Sequence, residues 1–296
     1  LHPRVRRQRQ MCIRDSVKGI GSWSLTGNAA EALSKKFTEM QDDSEVTAGF
    51  MWQKTTRESK KYQLRGEILS FIPVEKNVEV MLVTITNTGR MAQTVTPTAA
   101  IPLYGRSADN IRDHRHVTSL LHRIETTDIG VLVTPTLSFD ERGHQVNHMT
   151  YYCVGWSGNG EKPVDFYPTA EDFVGEGGNF ERPYAIVKNA EGVKAGTRIE
   201  GLEAVGGLHF SEVTLEPEEE CSYLIFTGIT EDIQEIRNLS KTYTTREMVL
   251  EELEKTKAYW QEKVNVAYHT GDSDFNQFMH WVSFQPILRR IYGCSF

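Results

Sequence analysis

From Val17 to about Thr242 the chain is a succession of short β-branched and aromatic runs. Clusters of Gly, Pro, Asn and Asp separate them, and no helical period intervenes. The runs are Tyr62–Ile72, Asn77–Gly89, Gln93–Leu103, Ile129–Ser138, Met149–Trp156, Gly201–Leu215 and Cys221–Thr230. Parallel strands need long, usually helical crossovers, so this pattern excludes a βαβ sheet and predicts an all-β sandwich. Asn77–Gly89 constrains it most. Val78, Val80, Leu82 and Thr84 would line one face, and Met81, Val83 and Ile85 the other. Apolar residues on both faces require cover on both sides, as in a thick sandwich.

At Thr244 the period changes. Over Thr244–Val264, Val249, Leu253, Trp260 and Val264 fall on one face of a helix and charges occupy the rest. Thr244 and Glu247 have the spacing of a capping box. A lone amphipathic helix here predicts a linker to a unit that starts near Asp272. With Asp272 or Ser273 as N-cap, Phe275, Phe278, Met279 and Val282 recur at helical spacing. Pro286 is expected to kink or restart the helix, Ile287, Leu288 and Ile291 continue the stripe, and Gly293 is a stop. So apolar a helix has to bury itself against further helices, so residues 272–296 read as the start of a helical domain cut short at Phe296.

Residues 1–16, LHPRVRRQRQMCIRDS, have no signal-peptide core, no periodicity and no small-residue cleavage site. They read as a non-native leader, a translated adapter or assembly scar rather than a basic arm, and the fold reading sets them aside. Five Arg against one Asp give them a net +4, so residues 17–296 carry -11 of the total -7. That balance excludes nucleic acid or an anionic membrane as the main partner. No apolar run reaches the ~18 residues that a bilayer span needs. Beyond Cys12, the cysteines Cys153, Cys221 and Cys294 are an odd set at wide spacing. They argue against disulfides and zinc and for a reducing, cytoplasmic compartment.

The densest polar constellation is Arg106, Asp109, Asn110, Arg112, Asp113, His114, Arg115 and His116, on a loop directly after the strand ending at Leu103. Planar guanidinium, amide and carboxylate groups pair with sugar hydroxyls, and clustered Arg holds phosphate bidentately. The same charges suit an internally paired loop that docks on a neighbouring domain or subunit, and the residues alone leave both readings open. Asp113, His114 and His116 are too crowded to converge on one metal ion. His144 and His148 read as turn and strand-edge residues, while His122, His209 and His280 stand alone and read as structural. In Asp172–Pro183, Gly175, Gly177 and Gly178 lie between Phe173 and Phe180. A phosphate-cradling loop would need a following Lys-Ser/Thr, so this is either an anchored surface loop or a flexible cover over a site. Forty carboxylates single out no acid–base pair, and no nucleophile elbow or nucleotide motif is present.

Three segments, IPLYGRSADNIRDHRHVTSLLHRI, FVGEGGNFERP and WVSFQPILRRIYGCSF, resemble the glycoside phosphorylases of glycoside hydrolase family 94. The likeness runs from Gly19 to Phe296 and is strongest to members acting on β-1,2-linked oligoglucans. It implies a mainly β chain. A β-supersandwich would span 17–243, a helical linker 244–271, and the first helix of a truncated (α/α)6 barrel 272–296. The family reaction is inverting phosphorolysis, in which an Asp protonates the glycosidic oxygen while phosphate attacks the anomeric carbon, releasing α-glucose 1-phosphate. No cofactor is implied beyond inorganic phosphate as co-substrate. The acid and the phosphate ligands would belong to the barrel beyond Phe296, so no catalytic residue is assigned and the chain alone is expected to be inactive. The implied partners are a β-glucan oligosaccharide, phosphate and a second copy in a cytoplasmic homodimer. There Arg106–His116 would approach substrate in the partner subunit. The alternative is a non-catalytic carbohydrate-binding or dimerisation sandwich.

Overall fold

The computed structural model describes residues 12–17, 21–35, 38, 41–105, 115–140 and 143–292. The chain opens with β1 (Cys12–Val17), β2 (Gly21–Ser24), α1 (Ala30–Ser34), β3 (Asp43–Gly49), β4 (Trp52–Ser59), β5 (Leu64–Phe71), β6 (Val78–Asn87) and β7 (Gln93–Leu103). It continues through α2 (Arg115–Ser119), β8 (His122–Thr126), β9 (Gly130–Pro135), β10 (Leu137–Asp140), β11 (Gly143–Val146), β12 (Thr150–Ser157) and β13 (Asp165–Thr169). The last part holds α3 (Ala170–Val174), α4 (Tyr184–Lys188), β14 (Arg198–Glu200), β15 (Ala204–His209), β16 (Val213–Leu215) and β17 (Glu220–Thr230). Three helices close it, α5 (Ile233–Thr242), α6 (Arg246–Lys263) and α7 (Ser273–Tyr292).

The strands form two antiparallel sheets and a separate β10–β11 hairpin. The larger sheet runs β14-β8-β9-β12-β17-β6-β5-β4-β3, and the smaller β13-β15-β7-β1-β2 with β16 also on β7. Mainly β architecture is therefore what the chain has, and the two faces of β6 divide as its alternation predicts. Met81, Val83 and Ile85 enter the core between the sheets with Val131, Cys153, Leu208 and Ile225. Val78, Val80 and Leu82 face outward, and what covers them is helical: Ile236 of α5 and Val249 and Leu253 of α6. A third layer of side chains, Phe173, Ala185 and Ile186, covers the outer face of the smaller sheet from α3 and α4.

Two contacts fix these layers. Where the sheets meet, Gly206 of β15 faces Cys153 of β12. A β-carbon at Gly206 would lie 2.2 Å from the Cys153 β-carbon and 2.7 Å from its sulfur. Cys153 is a small hydrophobe in a fully buried site, and burial pushes its thiol pKa up. On the outer face, the Trp156 indole donates to the Tyr243 carbonyl at 2.9 Å, and Phe226 stacks between the two rings, 4.8 Å from Trp156 and 5.5 Å from Tyr243. Lys76 donates to the Tyr243 hydroxyl at 2.6 Å. The junction of α5 and α6 is thereby pinned to the sheet.

The structure departs from the sequence reading in several places. β3 and β4 were hidden because their side chains are polar or half-exposed on both faces, which removes the alternation signal. α5 lies inside the span read as β; Asp232 caps it by accepting from the Gln234 backbone N–H at 2.8 Å. Residues 12–16, set aside as leader, form most of β1, paired with β2 and β7. Backbone pairing is indifferent to side-chain identity, so the segment occupies a strand slot whatever its origin. The capping box at Thr244 and Glu247 does not form. The N-cap is Thr245, one residue later, and the Glu247 carboxylate accepts from its own backbone N–H and the Thr245 hydroxyl, which lowers its pKa. At α7, Asp272 is the cap, accepting from the N–H groups of Asp274 and Phe275 at 2.9 and 3.0 Å. The helix continues unbroken through Pro286 rather than restarting there.

The crowded contact between the sheets makes a clear prediction. Gly206→Ala is expected to lower the unfolding free energy by about 1–3 kcal/mol through overpacking. Gly271→Ala, where an added carbon meets nothing within 4 Å, is expected to change it little. Urea midpoints at constant slope measure both, and equal effects would contradict the packing account.

Candidate functional site

Of the polar constellation, Arg106, Asp109, Asn110, Arg112, Asp113 and His114 lie outside the described residues. Arg115 and His116 open α2, described there by backbone alone. What the structure shows is the platform from which that loop departs and to which it returns.

Departure is at Gly105, directly after β7. A β-carbon there would lie 2.7 Å from the Pro135 ring, 3.2 Å from Val133 and 3.3 Å from His122. Only glycine lets the backbone press onto β9 and β8 at this point. His122, the first residue of β8, is 2% exposed. Its Nδ1 donates to the Leu202 carbonyl at 3.1 Å, which ties β8 to the chain entering β15. Burial drives its pKa below 6.5 in spite of that carbonyl, so the ring is neutral at pH 7. Return is through α2, whose Thr118 and Ser119 are buried, while its Val117, and Leu120 just beyond its end, are exposed.

The glycine-rich segment ends at the same place. A cleft lined by Tyr104, Ser119, His122, Ala170, Phe180 and Glu203 joins the roots of both segments. Phe173 is fully buried and Phe180 packs on it at 5.9 Å, so the two Phe anchor the loop as the sequence suggests. Its glycines answer local geometry. Gly175 and Gly177 have φ of +77° and +66°, and a β-carbon at Gly178 would lie 1.9 Å from the Val174 carbonyl oxygen. They stop α3 and turn the chain sharply. The Glu181 carbonyl then accepts from the Ala30 N–H at 2.9 Å and holds α1.

Sequence reasoning missed two polar clusters. Glu31 of α1 accepts from Lys35 at 2.8 Å, Lys61 at 2.7 Å and the Tyr62 hydroxyl at 2.8 Å. Trp23 donates to Asp42 at 2.9 Å beside it, and together they line a cavity of about 300 Å3. Burial alone would raise the Glu31 pKa, but the three hydrogen bonds outweigh it and hold the carboxyl at about 2. Only the Glu31–Lys35 spacing was visible beforehand; Lys61 and Tyr62 arrive from a turn 30 residues away. The second cluster corrects the view of His209 as solitary. Its Nδ1 lies 2.7 Å from Asp165 Oδ1 across the β13–β15 pair, and the neighbouring Tyr167 hydroxyl donates to the Ala190 carbonyl at 2.5 Å. His280 also has partners: it stacks on Phe50 at 4.9 Å and its Nδ1 meets the Val266 carbonyl at 3.0 Å. Among the described residues no group of three His, Cys, Asp or Glu side chains could hold a metal ion. No described helix is long and apolar enough to cross a membrane. Both clusters are paired internally, so they lock the chain rather than present a reactive group.

A family model described as the supersandwich domain of glycosyl hydrolase 94 matches residues 11–246. No curated protein matches the chain. Among solved structures, a bacterial glucoamylase complexed with acarbose aligns over 87% of this chain and 32% of its own, at 9% identity and a TM-score of 0.51. The likeness is one of fold, and the chain spans about a third of that enzyme's length. A polysaccharide lyase aligns over 77% of this chain and 26% of its own at 11% identity, with a TM-score of only 0.39.

Two titrations check the site's electrostatics. Because the Glu31 carboxyl is depressed below 4.5, its pairing should stabilise the fold fully above pH 4.5 and be lost as pH falls toward about 2. Carbon-detected NMR should place its midpoint near 2, and Lys61→Met should move the midpoint upward. His122 is also depressed, so its contribution should be complete above pH 6.5 and decline below it. Wild type should therefore lose stability over that interval relative to His122→Leu. That variant leaves the Leu202 carbonyl without its donor and should cost about 1–3 kcal/mol at pH 7.

Proposed function

The chain belongs to glycosyl hydrolase family 94 through its supersandwich domain, and on that premise we propose that it is the N-terminal sandwich of an inverting glycoside phosphorylase. The observation that carries the reading is the family match over residues 11–246. The likeness of the Ile101–Ile124, Phe173–Pro183 and Trp281–Phe296 segments to 1,2-β-oligoglucan phosphorylase supports a β-1,2-linked gluco-oligosaccharide as substrate.

In that reaction one carboxyl acid suffices, because phosphate itself replaces the base-activated water of an inverting hydrolase. The acid and the phosphate ligands belong to a helical barrel of which α7 is the first helix. This chain contributes binding and position. Arg106, Arg112 and Arg115 are suited to hold phosphate or a sugar's oxygen pairs bidentately. Asp109, Asn110, Asp113, His114 and His116 are suited to order hydroxyl groups. The platform of Gly105, His122 and Phe180 gives that loop a buried base, so remote binding energy can be used to orient the reacting bond. In a cytoplasmic homodimer the loop would face the partner's barrel.

The test compares two proteins on β-1,2-gluco-oligosaccharides with inorganic phosphate, one expressed from the whole gene and one restricted to these 296 residues. The whole protein is expected to release α-glucose 1-phosphate, and the 296-residue chain none. Release of free glucose without phosphate dependence would make the protein a hydrolase. Turnover by the short chain would place the catalytic groups within it. Arg112→Ala in the whole protein is expected to lower kcat/KM by about tenfold or more, the order of a lost charge-assisted hydrogen bond.

A further inference from the structure

None of the five residues of α1 is buried. The helix borders a cavity of about 300 Å3 instead, walled also by β2, the entry to β3, the end of β4 and the turn into β5. At ~30 Å3 per water that is room for about ten waters, whereas protein interiors keep few voids larger than one. The cavity is of ligand size, at the small end of the usual range. It has no lining residue in common with the cleft around His122.

Its wall is polar, fixed in place and close to neutral. Glu31 is held by Lys35, Lys61 and the Tyr62 hydroxyl. Asp42 Oδ2 accepts from the Trp23 indole at 2.9 Å and has Arg57 at 3.9 Å, while Lys60 pairs with Asp43 at 3.2 Å. Paired charges of both signs leave little net field, so the wall favours neither a metal ion nor a multiply charged anion. Trp23, Ala29 and Ala32 add apolar surface beside these groups.

Ser59 is the wall residue that stands apart. It lines the same cavity and is 1% exposed, and among the described residues its hydroxyl has no hydrogen-bond partner. Buried hydroxyls in native structures are paired. This one therefore calls for a partner within the cavity.

We propose that the cavity is a binding site for a neutral pyranose unit of a glycan. Such a unit carries no charge, presents apolar C–H faces, and has a rim of hydroxyls that both donate and accept. Ser59 Oγ pairs with one ring hydroxyl. Asp42 Oδ1, which makes neither of the contacts of Oδ2, accepts from another, and a C–H face lies against Trp23 and the two alanines. Hydrogen bonds already hold Glu31, Asp42 and Trp23, so binding costs little side-chain ordering. The proposal goes beyond the phosphorylase reading and takes from it only the choice of probe, a β-1,2-linked glucose disaccharide.

The test follows the Trp23 indole N–H resonance of the 296-residue chain by NMR as sophorose is added at millimolar concentration without phosphate. Trp156, buried and bonded to the Tyr243 carbonyl, is the internal control. A saturable shift of Trp23 with Trp156 unmoved is expected. Ser59→Ala is expected to weaken binding about three- to tenfold, the order of one neutral hydrogen bond. Ala32→Phe, which fills the cavity from α1, is expected to abolish the shift with an unchanged circular dichroism spectrum. Absence of a saturable shift overturns the site. A shift that Ser59→Ala leaves unchanged overturns it too, whether or not Ala32→Phe folds. A shift produced by inorganic phosphate in place of sophorose overturns the neutral-sugar class. Phosphorolysis by the whole protein is read separately, so its failure leaves a positive result here standing, and failure here leaves the phosphorylase reading standing.

Discussion

A nine-stranded sheet that buries both of its faces is the constraint on which the rest of this structure depends. β6, β12 and β17 carry large apolar side chains on both sides, and neither side can be left to water at roughly 25 cal/mol per Å2 of apolar surface. The inner face takes the smaller sheet, close enough that Cys153 and Gly206 touch. The outer face takes α5 and α6, with Tyr243 locked between Trp156, Phe226 and Lys76. α6 therefore begins as the lid of a sandwich and ends as the support of α7. Val249 and Leu253 belong to the sheet's outer core, while Trp260 and Val264 pack with Phe284.

The same economy of layers sets the place of the polar loop. β7 ends, β8 starts, and the glycine-rich segment closes at one end of the smaller sheet, so three chain segments share the small cleft around His122. A loop rich in charge needs a base that does not move if it is to orient a ligand. Gly105 and the buried His122 provide that base through close approach and a single tautomer. Glu31 with Lys35, Lys61 and Tyr62 gives α1 an equivalent anchor. α1 is in turn tied to the glycine-rich segment through Ala30 and Glu181.

What was legible in the sequence followed burial. Gln93–Leu103 was found with the bounds the strand has, and the faces of β6 were assigned residue by residue, because alternation between two cores leaves a strong periodic trace. The α6 face was legible for the same reason. β3 and β4 were not, since a hairpin exposed on both faces has no period to read. The capping box at Thr244 shows the limit of spacing alone, as backbone geometry made Thr245 the N-cap although Met248, three residues on, completes no box. Of the site, the polar residues could be named in advance and the family could be recognised from three segments. The platform beneath them could not, because Gly105, His122, Phe180 and Leu202 lie up to a hundred positions apart.

The sequence by itself determined the class of fold, the amphipathic helix that begins near Thr244, and the family, since each is written in local periodicity or in contiguous motifs, while the turn to helical structure comes earlier, at α5. Tertiary structure alone decided that helices rather than a further sheet cover the outer face of β6. It alone decided that His209 is paired with Asp165. Those outcomes depend on which distant segments meet. Burial favours any apolar cover equally per unit area, and only chain connectivity and shape select among the covers available.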